Sequence, residues 1–468
     1  MDFLNILSSM EGVILALFLF CIAAICFFEF INGFHDTANA VATVIYTKSL
    51  KPFHAVLLSG SLNFLGAIVS VKLFQMTVAA GIIKLLPLGE LMELSTYENI
   101  AIVSAVVIGA IIWNLGTWYF GIPCSSSHTL VGSLLGAGLG FQFIHHGSGV
   151  NWDKAKDIGM SLLLSPTFGF TMAILLVYVM RRVLKQKALF KQELTNEAPP
   201  LKTRALLIGT CSAVSFFHGS NDGQKGLGLL MVVLMTFMPM QYALNSSFGD
   251  EKCVQHLDRI TAILEKNKLE SPLEKEFNKM IETVNELKAD IASKADTTVK
   301  AKFTERKRIQ SISKTIDKIV KDPEMLPNSA DRSALKEELH VLKSYTDFAP
   351  DWALMMVALS LGIGTMIGWK RIVVTIGEKI GKSHLTYGQG AASELVAAST
   401  IGLSTYFGLP VSTTHVLSSG IAGSMVATGG VKNLQKGTIQ SIALAWLLTL
   451  PVTILLSFGL YLIFRLFA

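Results

Sequence analysis

Apolar residues along the chain come in runs of roughly 20, the length a helix needs to cross the hydrocarbon core of a bilayer. The first half offers runs at 13–50, 53–74, 99–120, 121–144 and 157–180; the second offers 205–246, 350–369, 390–407, 408–428 and 438–466. The pattern predicts an all-α integral membrane protein built from two five-span units. The first run, Val13 to Phe30, is long, has no Lys or Arg before it and lacks a small-residue cleavage site, so it reads as a retained span. Between Ser247 and Phe348 the pattern changes. There Leu257, Ile260, Ile263 and Leu264, then Ile309, Ile312, Ile316 and Ile319, recur at helical spacing among charged residues, with Pro272, Pro323 and Pro327 as breakers. Two to four amphipathic helices in a small bundle are expected.

Charge sharpens the division. The block from Ser247 to Phe348 holds 19 basic and 19 acidic residues, so the net charge of +6 belongs wholly to the apolar part. No large basic face is left for a nucleic acid, and the block reads as a solvated appendage without substrate contact. Basic residues gather at Lys48 and Lys51, Arg181 to Arg204, Lys370 to Lys382, and Lys432 and Lys436. Placing these clusters in the cytoplasm puts both termini, the acidic 75–98 loop and the charged block outside. The expected organisation is a first transmembrane repeat at 1–180, a basic cytoplasmic linker at 181–204, the start of a second repeat at 205–246, the insertion at 247–348 and the rest of the second repeat at 349–468. Five cysteines, four of them in apolar runs, suit neither a disulfide framework nor a zinc site.

The two halves are related. Residues 119–128 (YFGIPCSSSH) and 406–415 (YFGLPVSTTH) agree at six of ten positions, and a weaker pair, 33–39 (GFHDTAN) and 219–225 (GSNDGQK), aligns Asp36 with Asp222. Asp36 lies 89 residues before Ser125 and Asp222 lies 190 before Ser412; the excess nearly equals the insertion. Five is odd, so the second copy enters the membrane from the opposite side, an inverted repeat that places substrate and coupling ions at the interface of the halves. Gly33, Gly219, Gly121-x-Pro123 and Gly408-x-Pro410 are the expected interruptions, giving broken helices or re-entrant hairpins whose freed backbone faces protein or a wet cavity.

Ser125, Ser126, Ser127 and Thr129, with Ser412, Thr413 and Thr414, would stand at two helix N-termini, where unpaired N–H groups, the dipole and adjustable hydroxyls suit a tetrahedral oxyanion. Helix capping is the plainer explanation of the same residues. Asp36 and Asp222 are functional candidates as intramembrane carboxylates. Beside an anion they repel it, a conflict resolved if each holds a cation or proton during transport. Asn39, Asn221 and Gln224 could complete an oxygen-lined cation site or donate amides to the substrate, and Lys225 could pair with Asp222 or with the anion. His35, His128 and His415 titrate in the right range for proton coupling or brace the turns; Glu29 and Glu394 are further proton or cation candidates. No catalytic residue, bound cofactor or resident metal is expected. A Ser127–histidine enzyme, a passive channel and a nucleotide loop at Gly219 to Lys225 are weaker alternatives; the last lacks the Walker spacing.

Residues 32–40 (NGFHDTANA), Gly219 to Asp222 and the paired Pro-x-Ser-Ser/Thr-Ser/Thr-His motifs resemble the inorganic phosphate transporter (PiT) family, most closely its bacterial low-affinity permease branch. The resemblance implies secondary active phosphate symport by alternating access, with Asp36, Asn39, Asp222 and the hydroxyl motifs as the substrate and coupling-ion region. It implies protons as coupling ion and phosphate carried as a neutral complex with a divalent metal; sodium coupling and sulfate as cargo occur on a similar frame. It also implies a multi-pass protein of a bacterial plasma membrane, the inner membrane if Gram-negative. Small-residue faces permit a homodimer. Two departures from the family pattern are His35 before Asp36 and Lys225 where the first copy has Asn39.

Overall fold

The computed structural model describes residues 3–91, 94–147, 149–183, 187–190, 198–245, 247–267, 274–293 and 298–468. Its principal helices in the first half are α1 (Gly12–Tyr46), α2 (Pro52–Phe74), the short α3 (Thr77–Ile83), α4 (Thr96–Tyr119), α5 (Ser126–His145) and α6 (Trp152–Val183). After α7 (Leu201–Phe237) come α8 (Asp250–Lys266), α9 (Glu274–Ser293), α10 (Val299–Lys321) and α11 (Ser329–Thr346). The chain closes with α12 (Asp351–Met366), α13 (Tyr387–Tyr406), α14 (Thr413–Gly429) and α15 (Lys436–Phe464). A helix thus lies on each apolar run. Among the described residues five of them, α1, α2, α4, α6 and α15, are long and apolar enough on their own to cross a membrane. The others are short or dilute their apolar run with Gly, Ser and charged residues.

One compact unit comprises Met1–Pro87, Ile100–Val233 and Ala349–Ala468. Within it α5 packs along α15, α6 along α14, and α12 against α1 and α2, so elements distant in sequence interlock. Small residues allow this: a Cβ on Gly169 of α6 or Gly423 of α14 would strike the backbone of the facing helix, as would one on Gly136 against Ile454.

The two Gly-x-Pro segments do end helices. Gly121 (φ +66°) and Gly408 (φ +68°) adopt the left-handed conformation. Ile122 N–H donates to Thr117 O (2.9 Å) and Leu409 N–H to Ser404 O (2.8 Å), the same C-cap at both places. Gly33 and Gly219 behave otherwise, and the expectation that they interrupt helices is corrected: α1 and α7 run through both without a break. Their missing side chains serve close approach. A Cβ at Gly33 would meet the Leu361 and Thr365 backbone of α12, and one at Gly219 the Asn63 backbone of α2.

The second unit comprises Leu88–Asn99 and Leu234–Phe348. Helices α8 to α11 bury Cys253, Leu257, Ile260 and Leu264 against Val284 and Leu287, Ile309, Ile312 and Ile316, and Leu335, Leu339 and Leu342. These positions follow the i, i+3, i+4, i+7 stripe of amphipathic helices. Residues just before the bundle are tied into it: Arg306 donates to Ala243 O at 2.6 Å, and Asn245 N–H to Tyr345 O at 2.9 Å.

Candidate functional site

Four chain segments of the first unit converge on one buried polar cluster. Helix α1 carries Asn32 and Asp36 one turn apart. Helix α7 carries His218, Asp222 and Lys225 at i, i+4 and i+7, which puts all three on one face. The N-termini of α5 and α14 bring Ser126, Ser127, Thr413 and Thr414. Asp36, His218, Asp222 and Lys225 are each at most 2% exposed, so the interior and not water must satisfy their charges.

The contacts are specific. Lys225 Nζ lies 2.5 Å from Asp222 Oδ1, 2.5 Å from Ser127 Oγ and 3.1 Å from the Val411 carbonyl, while Ser127 Oγ donates to that carbonyl at 2.7 Å. Asp36 accepts from Thr414 Oγ1, and at 3.4 Å from Thr413 Oγ1. With its amide oriented to donate, Asn32 reaches Ser126 Oγ at 2.9 Å, Asp36 Oδ2 at 3.1 Å and Asp222 Oδ2 at 3.3 Å.

His218 joins the two carboxylates. Its Nε2 is 3.3 Å from Asp222 Oδ2 and 3.6 Å from Asp36 Oδ2, and its Nδ1 is 2.9 Å from Asn63 Oδ1. The Asn63 amide nitrogen donates to Thr365 Oγ1 (2.8 Å), whose hydroxyl donates to Leu361 O (2.8 Å). Asn63 Oδ1 can only accept, so Nδ1 carries a hydrogen and Nε2 is left facing two carboxylates. A proton on Nε2, or a cation held between the three groups, satisfies that arrangement. Asp36, His218 and Asp222 offer ligand atoms all within 4.8 Å of one another, a donor set that fits a divalent ion. With neutral His218 the cluster holds two carboxylates and one ammonium, one net negative charge.

The remaining expected residues are engaged nearby in other ways. Ser125 and Ser412 cap α5 and α14, each accepting from the backbone N–H of His128 or His415 at 3.1 Å, and Thr129 donates back to Ser125 O at 3.0 Å. Asn221 braces the 409–411 turn, donating to Leu409 O (3.2 Å) and Thr405 Oγ1 (3.0 Å) and accepting from Val411 N–H (3.3 Å). Gln224 Oε1 accepts from Val78 N–H at 3.0 Å, at the start of α3. His35 turns to Thr117 Oγ1 (3.2 Å), and Glu29 packs on Gly226. The side chain of Asn39 lies outside the described residues. The His128 and His415 rings lie 4.5 Å apart, with His415 stacked on Trp446 at 3.9 Å. Glu394 accepts from Thr43 and, at 2.5 Å, from Thr210.

His218, Asn32 and Asn63 are functional candidates that the sequence reading passes over. The four-residue spacings of Asn32 to Asp36 and His218 to Asp222 were available signals, masked by treating Gly33 and Gly219 as breaks. For Asn63, on another helix, sequence offers no signal.

An interlocked bundle of apolar helices around a buried, charge-bearing cluster defines a polytopic membrane protein with a polar site inside it. The model of the phosphate transporter family matches residues 32–457, and the chain belongs to that family. It is 41% identical to the low-affinity inorganic phosphate transporter of Buchnera aphidicola subsp. Acyrthosiphon pisum, over 96% of each chain. It is 40% identical to PitA, the low-affinity inorganic phosphate transporter of Escherichia coli K12, over 95% of this chain and 96% of that one. Among solved structures, one titled "The sodium-dependent phosphate transporter" superposes with a TM-score of 0.54 at 20% identity, covering 97% of this chain and all of the other.

Proposed function

We propose that the chain is a secondary active carrier of inorganic phosphate in a bacterial plasma membrane, coupled to protons, working by alternating access of two inverted repeats. Family membership and the names of its relatives support phosphate as cargo. The observation that carries the mechanism is the convergence of two capped, hydroxyl-bearing helix N-termini on the Asp36, His218, Asp222 and Lys225 cluster. Matching C-caps at Gly121 and Gly408, matching N-caps at Ser125 and Ser412, and reciprocal packing of α5 on α15 and α14 on α6 support the repeat.

The charge logic sets the order of events. A phosphate anion brought beside a cluster of net negative charge in a low-dielectric interior is repelled. One proton on His218 brings the cluster to neutrality, after which the hydroxyls and helix ends of α5 and α14 can hold the anion. Deprotonation on the other side restores repulsion and releases phosphate. A divalent cation held by Asp36, His218 and Asp222 would serve the same electrostatic end, which suits a metal–phosphate complex as an alternative cargo. The function calls for no catalytic residue.

The test is accumulation of radiolabelled phosphate in proteoliposomes, with excess sulfate as competitor. The proposal expects uptake that unlabelled phosphate blocks and sulfate does not. Block by sulfate at equal concentration would make the chain a general oxyanion carrier.

A further inference from the structure

The sequence repeat pairs Asp36 with Asp222, Asn39 with Lys225, and Thr414 with Ser127, yet the two copies treat their carboxylates differently. In one, Thr414 donates directly to Asp36. In the other, Ser127 has no hydrogen bond to Asp222; the Lys225 ammonium stands between them, 2.5 Å from each. Its third contact is the Val411 carbonyl at 3.1 Å, in the unwound stretch before α14. A carboxylate, a hydroxyl and a main-chain carbonyl freed by a broken helix form the all-oxygen set with which such carriers hold a small monovalent cation. The ammonium has three N–H donors and all three are used here, so in this conformation none is left for an anion.

We propose that Lys225 is a resident cation: its ammonium fills a cation site in the second repeat, so Asp222 is neutralised by the chain itself and only the Asp36 side requires an exchangeable ion. The proposal rests on the phosphate-carrier reading and deepens it, since it fixes which of the two paired carboxylates, Asp36, is left to be balanced by an exchangeable ion such as the proton on His218. A side chain that carries its charge through every cycle cannot be left behind on one side of the membrane, so this site adds nothing to the ion stoichiometry. Replacing Lys225 with the asparagine of the other copy vacates the cage but keeps its three oxygens.

The experiment compares the full-length wild type with Lys225→Asn in proteoliposomes at fixed pH and clamped potential, measuring phosphate uptake in choline, lithium and sodium media. The melting temperature of each purified protein is measured against sodium concentration without phosphate. The expected result is a wild type that sodium neither accelerates nor stabilises. Lys225→Asn should show uptake at least about tenfold higher in sodium or lithium than in choline, and a melting temperature that rises with sodium. A folded Lys225→Asn with no sodium response in either readout, or with wild-type uptake in choline, overturns the proposal, as does sodium stabilisation of the wild type. If Lys225→Asn does not fold, the double variant Lys225→Met/Asp222→Asn, which removes both charges, should fold and ignore sodium. Failure of the double variant to fold assigns Lys225 to packing and also overturns it. A wild type that takes up no phosphate in any medium defeats the carrier reading instead, while the melting series still judges the resident cation.

Discussion

Asp36 and Asp222 occupy matching places in the repeat, yet neutralising them should cost very different amounts of stability. Asp222→Asn leaves the Lys225 ammonium buried with only neutral oxygens as partners, those of the new amide, Ser127 and the Val411 carbonyl. Removing one member of a buried ion pair costs about 3–5 kcal/mol, because the desolvated survivor stays behind uncompensated. Asp36→Asn strands no fixed charge. The amide oxygen can still accept from Thr414, and His218 keeps Asp222 as its partner, so the loss is that of charge-assisted hydrogen bonds, about 1–3 kcal/mol. Thermal unfolding of the purified chain, followed by tryptophan fluorescence, should therefore order the midpoints wild type, then Asp36→Asn, then Asp222→Asn. Adding Lys225→Met to Asp222→Asn should recover most of the loss, since it removes the stranded charge. Both single variants should lose coupled uptake. Equal destabilisation by the two, or a double variant no more stable than Asp222→Asn, would refute the reasoning.

Gly219→Ala places a methyl on the Asn63 backbone and should cost about 1–3 kcal/mol by overpacking, whereas Gly209→Ala on the same helix meets nothing within 4 Å and should be neutral or stabilising by up to about 1 kcal/mol; melting temperatures of the two proteins decide. Ser412→Ala removes the α14 cap and should cost about 1 kcal/mol. Ser412→Asp keeps a capping oxygen but buries a further negative charge where the anion arrives, so it should lose phosphate uptake. In the charged bundle, burial first, then Asp250 and Glu305, pushes the Cys253 thiol up to about 12. With Cys253 as the sole cysteine, maleimide labelling at pH 8 should stay slow until the bundle unfolds; fast labelling of the native chain would contradict this.

Much of this was legible in the sequence because it depends on local rules. Run length located the helices, and a Gly-x-Pro break flanked by an internal copy of itself marked Gly121 and Gly408, where a positive φ and a proline leave few options. Isoleucines at helical spacing marked the bundle helices. The misreading of Gly33 and Gly219 has a physical cause: glycine both breaks helices and admits a neighbouring backbone, and only the neighbours, Thr365 and Asn63, distinguish the two. That misreading concealed the shared face of His218, Asp222 and Lys225. Asn221 and Gln224 were expected to line a cation site or donate amides to the substrate; in the structure their partners are residues 409–411 and the start of α3, and such distant contacts carry no local signature.

Protonation of a net-negative buried cluster is what admits phosphate in this mechanism. Its most direct test is radiolabelled phosphate uptake into proteoliposomes under an imposed pH gradient without sodium, then under a sodium gradient at equal pH, each with and without magnesium. The expected result is accumulation under an inwardly directed proton gradient and none under sodium alone. Accumulation driven only by sodium, or under neither gradient, would contradict it.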